Sequence, residues 1–247
     1  MRMIDIDLYS NVDLLEIISG RIEKGINNQE KNTFRRKALN DVRHAIKMLN
    51  YDTQTKIKEI INMAKQKEQE KAKMRKMLII VDMQEDFVRG ALGSNEAIAI
   101  VDNVRKRAKE LLHKGYEVFC TRDTHSKCYM ETFEGKHLPV PHCIMYSEGW
   151  QIIPELREIP AMYINKETFG YESWKTWFGD EENIEEIELM GVCTDICVIS
   201  NALALRMLYP NTEITVHANC CAGVTPGKHQ AALEVMKSCQ INVIEGE

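Results

Sequence analysis

The chain has 247 residues, a net charge of −5 and ordinary fractions of apolar (44%) and charged (28%) side chains. That length suits one large domain, or an ordinary domain with an appendage, and it can bury a sizeable core. No run is apolar enough to cross a bilayer, and the first residues lack the pattern of a signal peptide, so we expect a cytoplasmic protein with no membrane partner. In that compartment the eight cysteines are expected to be reduced thiols.

Residues 1–76 predict a helical N-terminal extension. The segment contains no proline, and its apolar side chains recur at helical spacing, which indicates two or three amphipathic helices. It carries 17 Lys or Arg against 11 Asp or Glu, a net charge of +6 that leaves −11 for the rest of the chain. Because the basic residues are dispersed, we favour a solvated helix face over a nucleic-acid-binding patch. No chemistry is indicated in this segment, and its role stays open.

From residue 77 to residue 247 the pattern changes to alternating short apolar runs and amphipathic stretches. Such alternation predicts a Rossmann-like, three-layer α/β/α domain with a parallel sheet. The predicted helices cover residues 94–113, 195–208 and 228–238. The predicted strands cover residues 77–81, 116–120, 161–164, 187–190, 214–217 and 241–244.

Three side chains that could perform nucleophilic chemistry come directly after predicted strands. Parallel strands bring their carboxyl ends to one edge of the sheet, where ligands bind, so these side chains are expected to meet. Cys197 lies in the first turn of a predicted helix, where a thiol pKa is lowered; Asp82 could act as a general base and Lys166 as a charge that tunes both. Taken singly, each has an ordinary alternative: a packed cysteine, a loop aspartate and a surface lysine.

A second set of residues has the chemistry of metal ligands. Asp123 and His125 are two positions apart in an extended stretch, which puts both side chains on one side, and His142 follows later. Together they offer three of the ligands that a divalent metal needs, although ordinary loop histidines are an equally good explanation.

Read together, these residues resemble the isochorismatase-like cysteine hydrolases, and nicotinamidases most of all. The resemblance extends over about residues 75–247, and its five motifs occur in the order of the family. They are Ile79 to Phe87, Asp123-Thr124-His125, Leu138 to Cys143, Lys166-x-Thr168-Phe169-Gly170 and Gly191 to Val198.

The resemblance implies a catalytic triad. Cys197 would be the nucleophile, Asp82 the group that accepts and returns the proton, and Lys166 the charge that joins them. It also implies a non-proline cis peptide bond at Val192-Cys193, and an oxyanion hole made by the backbone N–H groups of Cys193 and Cys197.

The resemblance further implies a divalent metal ion, zinc by preference with manganese or iron admissible, held by Asp123, His125, His142 and a fourth ligand. Glu131, Glu134 and His137 are the candidates for that ligand, and Glu134 fits the family variant best. In nicotinamidases the metal binds the pyridine nitrogen of the substrate and orients its ring. Phe87 matches a family position that packs on the ring. Phe169 and Trp174 are further candidates for the pocket wall, and the alternative for each is a place in the core.

The predicted activity is therefore hydrolysis of nicotinamide to nicotinate and ammonia, an amidase reaction of pyridine-nucleotide salvage. Other small amides or ureido compounds stay open as substrates, as does a catalytically dead scaffold that carries a helical interaction module. Isochorismatase chemistry is a weaker alternative, because isochorismatases lack the metal motif. The family is compatible with a homo-oligomer. NAD itself is not an expected cofactor, since the dinucleotide fingerprint Gly-x-Gly-x-x-Gly is absent from the sequence.

Overall fold

The computed structural model describes residues 74–245 together with Thr55, Glu59, Ile60 and Asn62. The chain divides into two compact units, Met1–Lys71 and Ala72–Glu247. The four described residues of the first unit are helical, and the other residues of 1–73 lie outside the described part of the chain. Arg75 and Lys76, predicted at the end of the helical segment, belong instead to the first strand of the sheet, so the prediction is wrong for these two residues. The division at residue 77 and the role of the extension stay predictions.

A sheet of six parallel strands organises the second unit, with the strand order β3-β2-β1-β4-β5-β6. The parallel α/β fold predicted from the sequence is therefore confirmed. The chain runs outward from β1 to one side and then returns to β4 on the other side, so the order reverses between β1 and β4. The strands are β1 (Arg75–Val81), β2 (Glu117–Asp123), β3 (Met162–Lys166), β4 (Ile184–Val192), β5 (Glu213–Ala222) and β6 (Asn242–Ile244).

Within residues 74–245, seven α-helices connect the strands. α3 contacts β1, β2 and β5, whereas α6 and α7 contact each other and β5. The helices are α1 (Glu85–Val88), α2 (Asn95–Ala99), α3 (Val101–His113), α4 (Phe133–His137), α5 (Trp174–Phe178), α6 (Ile199–Leu208) and α7 (Pro226–Ser238).

Two helices differ from their predicted form. The single helix predicted over residues 94–113 is two helices that meet at Ile100, with Ser94 capping the first by accepting from Ala97 N at 3.0 Å. Buried apolar side chains continue at helical spacing across the break, which is why periodicity does not reveal it. The helix predicted from Asp195 begins instead as a π-helical turn, Thr194–Val198, and α6 starts only at Ile199.

The central strand β1 is the most deeply buried part of the sheet. Each side chain from Met77 to Val81 is 0% exposed, as a strand with neighbours on both edges and helices on its faces requires. Polar side chains that are nearly or fully buried follow at the carboxyl ends of β1, β2 and β3. Within the described part of the chain, no helix is long and apolar enough to cross a membrane.

Candidate active site and metal centre

Asp82 is fixed at the end of β1 by a neighbouring strand. The residue is fully buried, and its backbone has a φ of 49°, which is uncommon outside glycine. Thr121 on β2 holds it twice: the Thr121 hydroxyl accepts from Asp82 N at 3.1 Å and donates to Asp82 Oδ1 at 2.6 Å. One carboxylate oxygen is thereby oriented, and Oδ2 is turned toward Lys166.

A glycine allows β4 to approach the same place. Gly191 pairs with Val81, has a φ of 122°, and would place a Cβ only 2.1 Å from the Val81 carbonyl oxygen. No side chain fits there, so glycine is required for β4 to lie against the end of β1. The turn that carries Cys197 starts from this point.

Lys166 joins the acid and the thiol. It is the last residue of β3, is 3% exposed, and its Nζ lies 2.7 Å from Asp82 Oδ2 and 3.6 Å from Cys197 Sγ. The same nitrogen lies 3.3 Å from Asp123 Oδ1. The structure therefore brings Asp82, Lys166 and Cys197 together, with Asp123 beside them.

Cys197 lies inside the π-helical turn between β4 and α6. The Val192-Cys193 peptide bond that precedes the turn is cis, as the family resemblance implies. The carbonyl of Cys193 accepts from both Ile196 N and Val198 N at 3.0 Å, and Asn201 Nδ2 donates to the Cys197 carbonyl at 2.8 Å. The turn is further held by a 2.8 Å hydrogen bond between Thr194 Oγ1 and His229 Nδ1.

The thiol and the neighbouring acid have unusual pKa values. Burial, assisted by the Asp82 charge, raises the pKa of the Cys197 thiol well above its ordinary value. The lowered pKa expected of a cysteine at a helix start is therefore not found, because loss of solvation outweighs the partial charges of a single turn. Burial also raises the pKa of Asp82 in spite of Lys166. A neutral Cys197 thiol needs a base to become a thiolate. The Asp82 carboxylate lies beside it, and its raised pKa makes it a stronger base.

The opposite balance holds at Lys166 and Asp123. Burial would lower the pKa of the Lys166 ammonium, but the charges of the Asp82 and Asp123 carboxylates outweigh it and raise the pKa. Burial would raise the pKa of Asp123, but hydrogen bonds from His125 and His142 outweigh it and lower the pKa. One cation thus lies between two carboxylates that differ in basicity.

The four side chains predicted as metal ligands form one group. Ligand atoms of Asp123, His125, Glu134 and His142 all lie within 4.8 Å of one another. Asp123 Oδ2 is 2.9 Å from His125 Nε2 and 3.5 Å from His142 Nε2, while Glu134 Oε1 is 3.8 and 3.7 Å from the same two nitrogens. His142 Nδ1 donates to the Val140 carbonyl at 2.9 Å, which leaves Nε2 free to face the group. Two carboxylates and two imidazoles in this arrangement fit a divalent cation.

The other two candidates for the fourth ligand lie elsewhere. Glu131 is exposed, in a 3-10 turn. His137 is exposed at the end of α4, where its Nδ1 hydrogen-bonds to the Phe133 carbonyl at 2.8 Å and its ring packs on Phe133. The grouping therefore favours Glu134 on geometry.

The predicted aromatic wall is only partly assembled around these groups. Phe87 is half-buried, and its ring centroid is 5.4 Å from that of His142. Phe169 is 47% exposed in the loop after β3, and its place in a substrate pocket stays a prediction. Trp174 is fully buried and packs on Phe178, so it belongs to the core rather than to a pocket wall.

Two polar residues of the site were missed in the sequence. Thr121 orients Asp82, as described above, and the Gln84 amide is hydrogen-bonded to the backbone of Asp123. Both are 0% exposed. The sequence signal that could have revealed them is a polar residue in or directly after an apolar strand. Such a side chain is buried by the strand and therefore requires a hydrogen-bond partner.

Comparison with known proteins supports this assignment of the fold. The isochorismatase domain family matches residues 76–247, well over half of the chain. The chain belongs to the isochorismatase family. The resemblance drawn from the five motifs is thus confirmed at the level of the family.

Several curated relatives of this isochorismatase-family chain are nicotinamidases. Nicotinamidase 1 of Arabidopsis thaliana is 27% identical over 59% of this chain and 68% of its own length. The nicotinamidase of Escherichia coli is 27% identical over 60% of this chain and 83% of its own length. The nicotinamidase/pyrazinamidase of Mycobacterium tuberculosis is 26% identical over 68% and 97%.

Solved structures agree with these relatives. The pyrazinamidase of Pyrococcus horikoshii, in complex with zinc, has a TM-score of 0.60 at 27% identity and covers 70% of this chain and 99% of its own. A nicotinamidase/pyrazinamidase of Bacillus subtilis has a TM-score of 0.61 at 26% identity, covering 70% and 100%. Family and relatives together indicate a hydrolase of C–N amide bonds, which confirms the predicted enzyme class.

Proposed function

We propose that this protein hydrolyses nicotinamide to nicotinate and ammonia through a thioester on Cys197. One observation carries the proposal: buried Lys166 contacts both Asp82 and Cys197, and it also contacts Asp123 of the neighbouring donor group. A nucleophile, its base and a group able to hold a ring-binding cation are therefore adjacent. The names of the relatives from Arabidopsis thaliana and Escherichia coli support nicotinamide as the substrate.

The first half of the reaction forms the thioester. Asp82 takes the proton from the Cys197 thiol, and the thiolate sulfur forms a bond to the amide carbon. The backbone N–H groups of Cys193 and Cys197 stabilise the resulting oxyanion. The C–N bond then breaks, and Asp82 returns its proton to the departing nitrogen, so that ammonia leaves and Asp82 is again a carboxylate.

The second half regenerates the thiol. Asp82 removes a proton from water, the hydroxide adds to the thioester carbon, and the C–S bond breaks. The Asp82 proton passes to the Cys197 sulfur, and the product leaves as nicotinic acid, which loses its remaining proton to solvent to give nicotinate. Lys166 keeps its positive charge throughout and stabilises whichever of Asp82 and Cys197 is anionic, because it contacts both.

Asp123, His125, Glu134 and His142 would hold the metal ion, and we propose zinc. The zinc complex of the Pyrococcus horikoshii relative supports this choice, and the two imidazoles and two carboxylates accept zinc readily. When bound, such an ion would supply a Lewis-acidic position for a pyridine nitrogen. The half-buried ring of Phe87, beside His142, would then pack on the substrate ring.

The test measures ammonia and nicotinate released from nicotinamide by the full chain with added Zn²⁺. We expect release by the wild type and none by Cys197→Ala, because the thioester cannot form. Cys239→Ala is the matched control, since Cys239 lies at the end of α7 and takes no part in the mechanism. Its activity should equal that of the wild type.

Intermediate trapping separates the mechanism from the substrate. Mass spectrometry of the quenched wild-type reaction should reveal a nicotinoyl adduct on the peptide that contains Cys197. Release that persists in Cys197→Ala would rule out the thioester route. A wild type that binds zinc yet leaves nicotinamide intact would rule out this substrate and favour another small amide.

A further inference from the structure

The Gln84 side chain is completely buried between the end of β1 and two other segments. It is 0% exposed, and its amide makes three hydrogen bonds. Oε1 accepts from Asp123 N at 2.7 Å, and Nε2 donates to the Asp123 carbonyl at 2.9 Å and to the Trp150 carbonyl at 2.9 Å. Every bond pairs a donor with an acceptor, so the orientation of the amide is defined by its partners.

These bonds hold both backbone polar groups of Asp123. β2 ends at Asp123. On the side away from Gln84, the end of β3 holds the next residue, because Thr124 N donates to the Lys166 carbonyl at 2.9 Å. The backbone of Asp123 is thus clamped between Gln84 and the end of β3. A clamped backbone fixes the point from which the Asp123 side chain extends toward its partners.

Asp123 is the residue at which the two halves of the site meet. Its Oδ1 lies 3.3 Å from Lys166 Nζ, and its Oδ2 lies 2.9 Å from His125 Nε2. A rotation or shift of the Asp123 backbone would move the carboxylate away from both groups at once. Gln84 is itself only two residues from Asp82, so its clamp also fixes the distance between the base and the donor group.

We infer that Gln84 is a positioning residue that sets the affinity of the metal centre through the backbone of Asp123. The inference rests on the metal centre of the proposed function. Residues that orient a ligand typically change metal affinity about 10- to 100-fold when they are replaced. Replacement of Gln84 should therefore weaken metal binding by about 10- to 100-fold although Gln84 touches no metal.

The experiment measures the Zn²⁺ dissociation constant by competition with a chromophoric chelator for the full-length wild type and for Gln84→Met. Methionine keeps the length of the side chain and removes all three hydrogen bonds. The expected result is an affinity about 10- to 100-fold lower, with a changed absorption spectrum of the Co²⁺-loaded protein because the Asp123 ligand is displaced. Gln84→Glu, which keeps the Asp123 N acceptor but opposes two carbonyls with a carboxylate, should weaken binding as well.

Tyr116→Phe is the control for a general loss of stability. It removes a buried hydrogen bond of 2.8 Å to Glu188, away from the donor group, and should leave the Zn²⁺ constant and the Co²⁺ spectrum unchanged. Unaltered affinity and spectrum in both folded Gln84 variants would overturn the inference, and if only one variant folds, that variant decides. A wild type that binds no Zn²⁺ would overturn the metal centre, and the inference with it, which is a distinguishable result.

Discussion

Two clusters of buried charges lie along the same sheet, and they differ in how well their charges are balanced. One joins β4, β5 and α3: the Glu188 carboxylate is contacted by Arg107 at 3.0 Å, by the Tyr116 hydroxyl at 2.8 Å and by His217. Although burial acts the other way, these partners lower the pKa of Glu188 to about 2. The other cluster is the site at the carboxyl edge, where burial raises the pKa of Asp82 in spite of Lys166.

The opposite pKa shifts of Glu188 and Asp82 indicate that one cluster serves stability and the other serves function. A carboxylate whose pKa falls on folding stabilises the folded state, whereas one whose pKa rises on folding is held there at a cost in stability. The Glu188 cluster is therefore expected to stabilise the folded state. The Asp82 cluster resembles a site at which a proton has to be taken and returned, and strongly shifted pKa values are frequent at such sites.

The largest expected effect comes from Asp82→Asn. Loss of the base should lower kcat for ammonia release by about 10²- to 10⁴-fold. The melting temperature should not fall, because the amide removes an insufficiently compensated charge from the interior. Steady-state kinetics and thermal unfolding of the same preparation measure both quantities. Asp102→Asn, on the exposed face of α3, is the matched control and should change neither.

A second prediction concerns the members of the donor group. Glu134→Ala should weaken Zn²⁺ binding at least about tenfold, since even residues behind a ligand contribute that much. Glu131→Ala and His137→Ala should bind as the wild type does, because both side chains are exposed outside the group. Titration with a chelator as competitor measures the three constants. A stronger loss in Glu131→Ala or His137→Ala than in Glu134→Ala would reassign the fourth ligand.

Much of the fold and the triad could be predicted because they depend on local patterns and on one property of parallel sheets. Each strand is a short apolar run, and carboxyl ends of parallel strands meet at one edge. Asp82 and Lys166 could therefore be predicted to lie side by side although they are far apart in the chain, and the structure places them in contact. The break at Ile100 could not be predicted, because the apolar spacing continues through it.

The finer details of the site depend on tertiary contacts that leave no local pattern. Thr121 is 39 residues from its partner Asp82, and Gln84 is 39 residues from Asp123 and 66 from Trp150. Glu134 could not be separated from Glu131 by spacing alone, because only the folded loop decides which carboxylate faces His142. The raised pKa of Cys197 likewise follows from burial, which the sequence of a turn does not reveal.

A smaller effect, on stability alone, is expected from Glu188→Gln. Removing the carboxylate leaves Arg107 and His217 without their buried partner and should lower the free energy of unfolding by about 1–3 kcal/mol. The kcat of the folded enzyme should not change. Urea unfolding with parallel assays measures both. The control is Glu110→Gln, which removes an exposed partner of the same Arg107 at 3.6 Å and should cost less than about 1 kcal/mol.

The smallest effect is the pH dependence of that same stabilisation. The pKa of Glu188 is lowered from 4.5 to about 2 on folding, so its contribution is complete above pH 4.5 and is lost as the pH falls toward 2. The difference in unfolding free energy between the wild type and Glu188→Gln should therefore be constant near neutrality and shrink progressively below pH 4.5. Urea unfolding at a series of pH values measures it. A difference that stays constant down to the lowest pH would mean that packing and neutral hydrogen bonds, rather than the charge, hold the Glu188 cluster together, and the contrast with the Asp82 cluster would then lose its electrostatic basis.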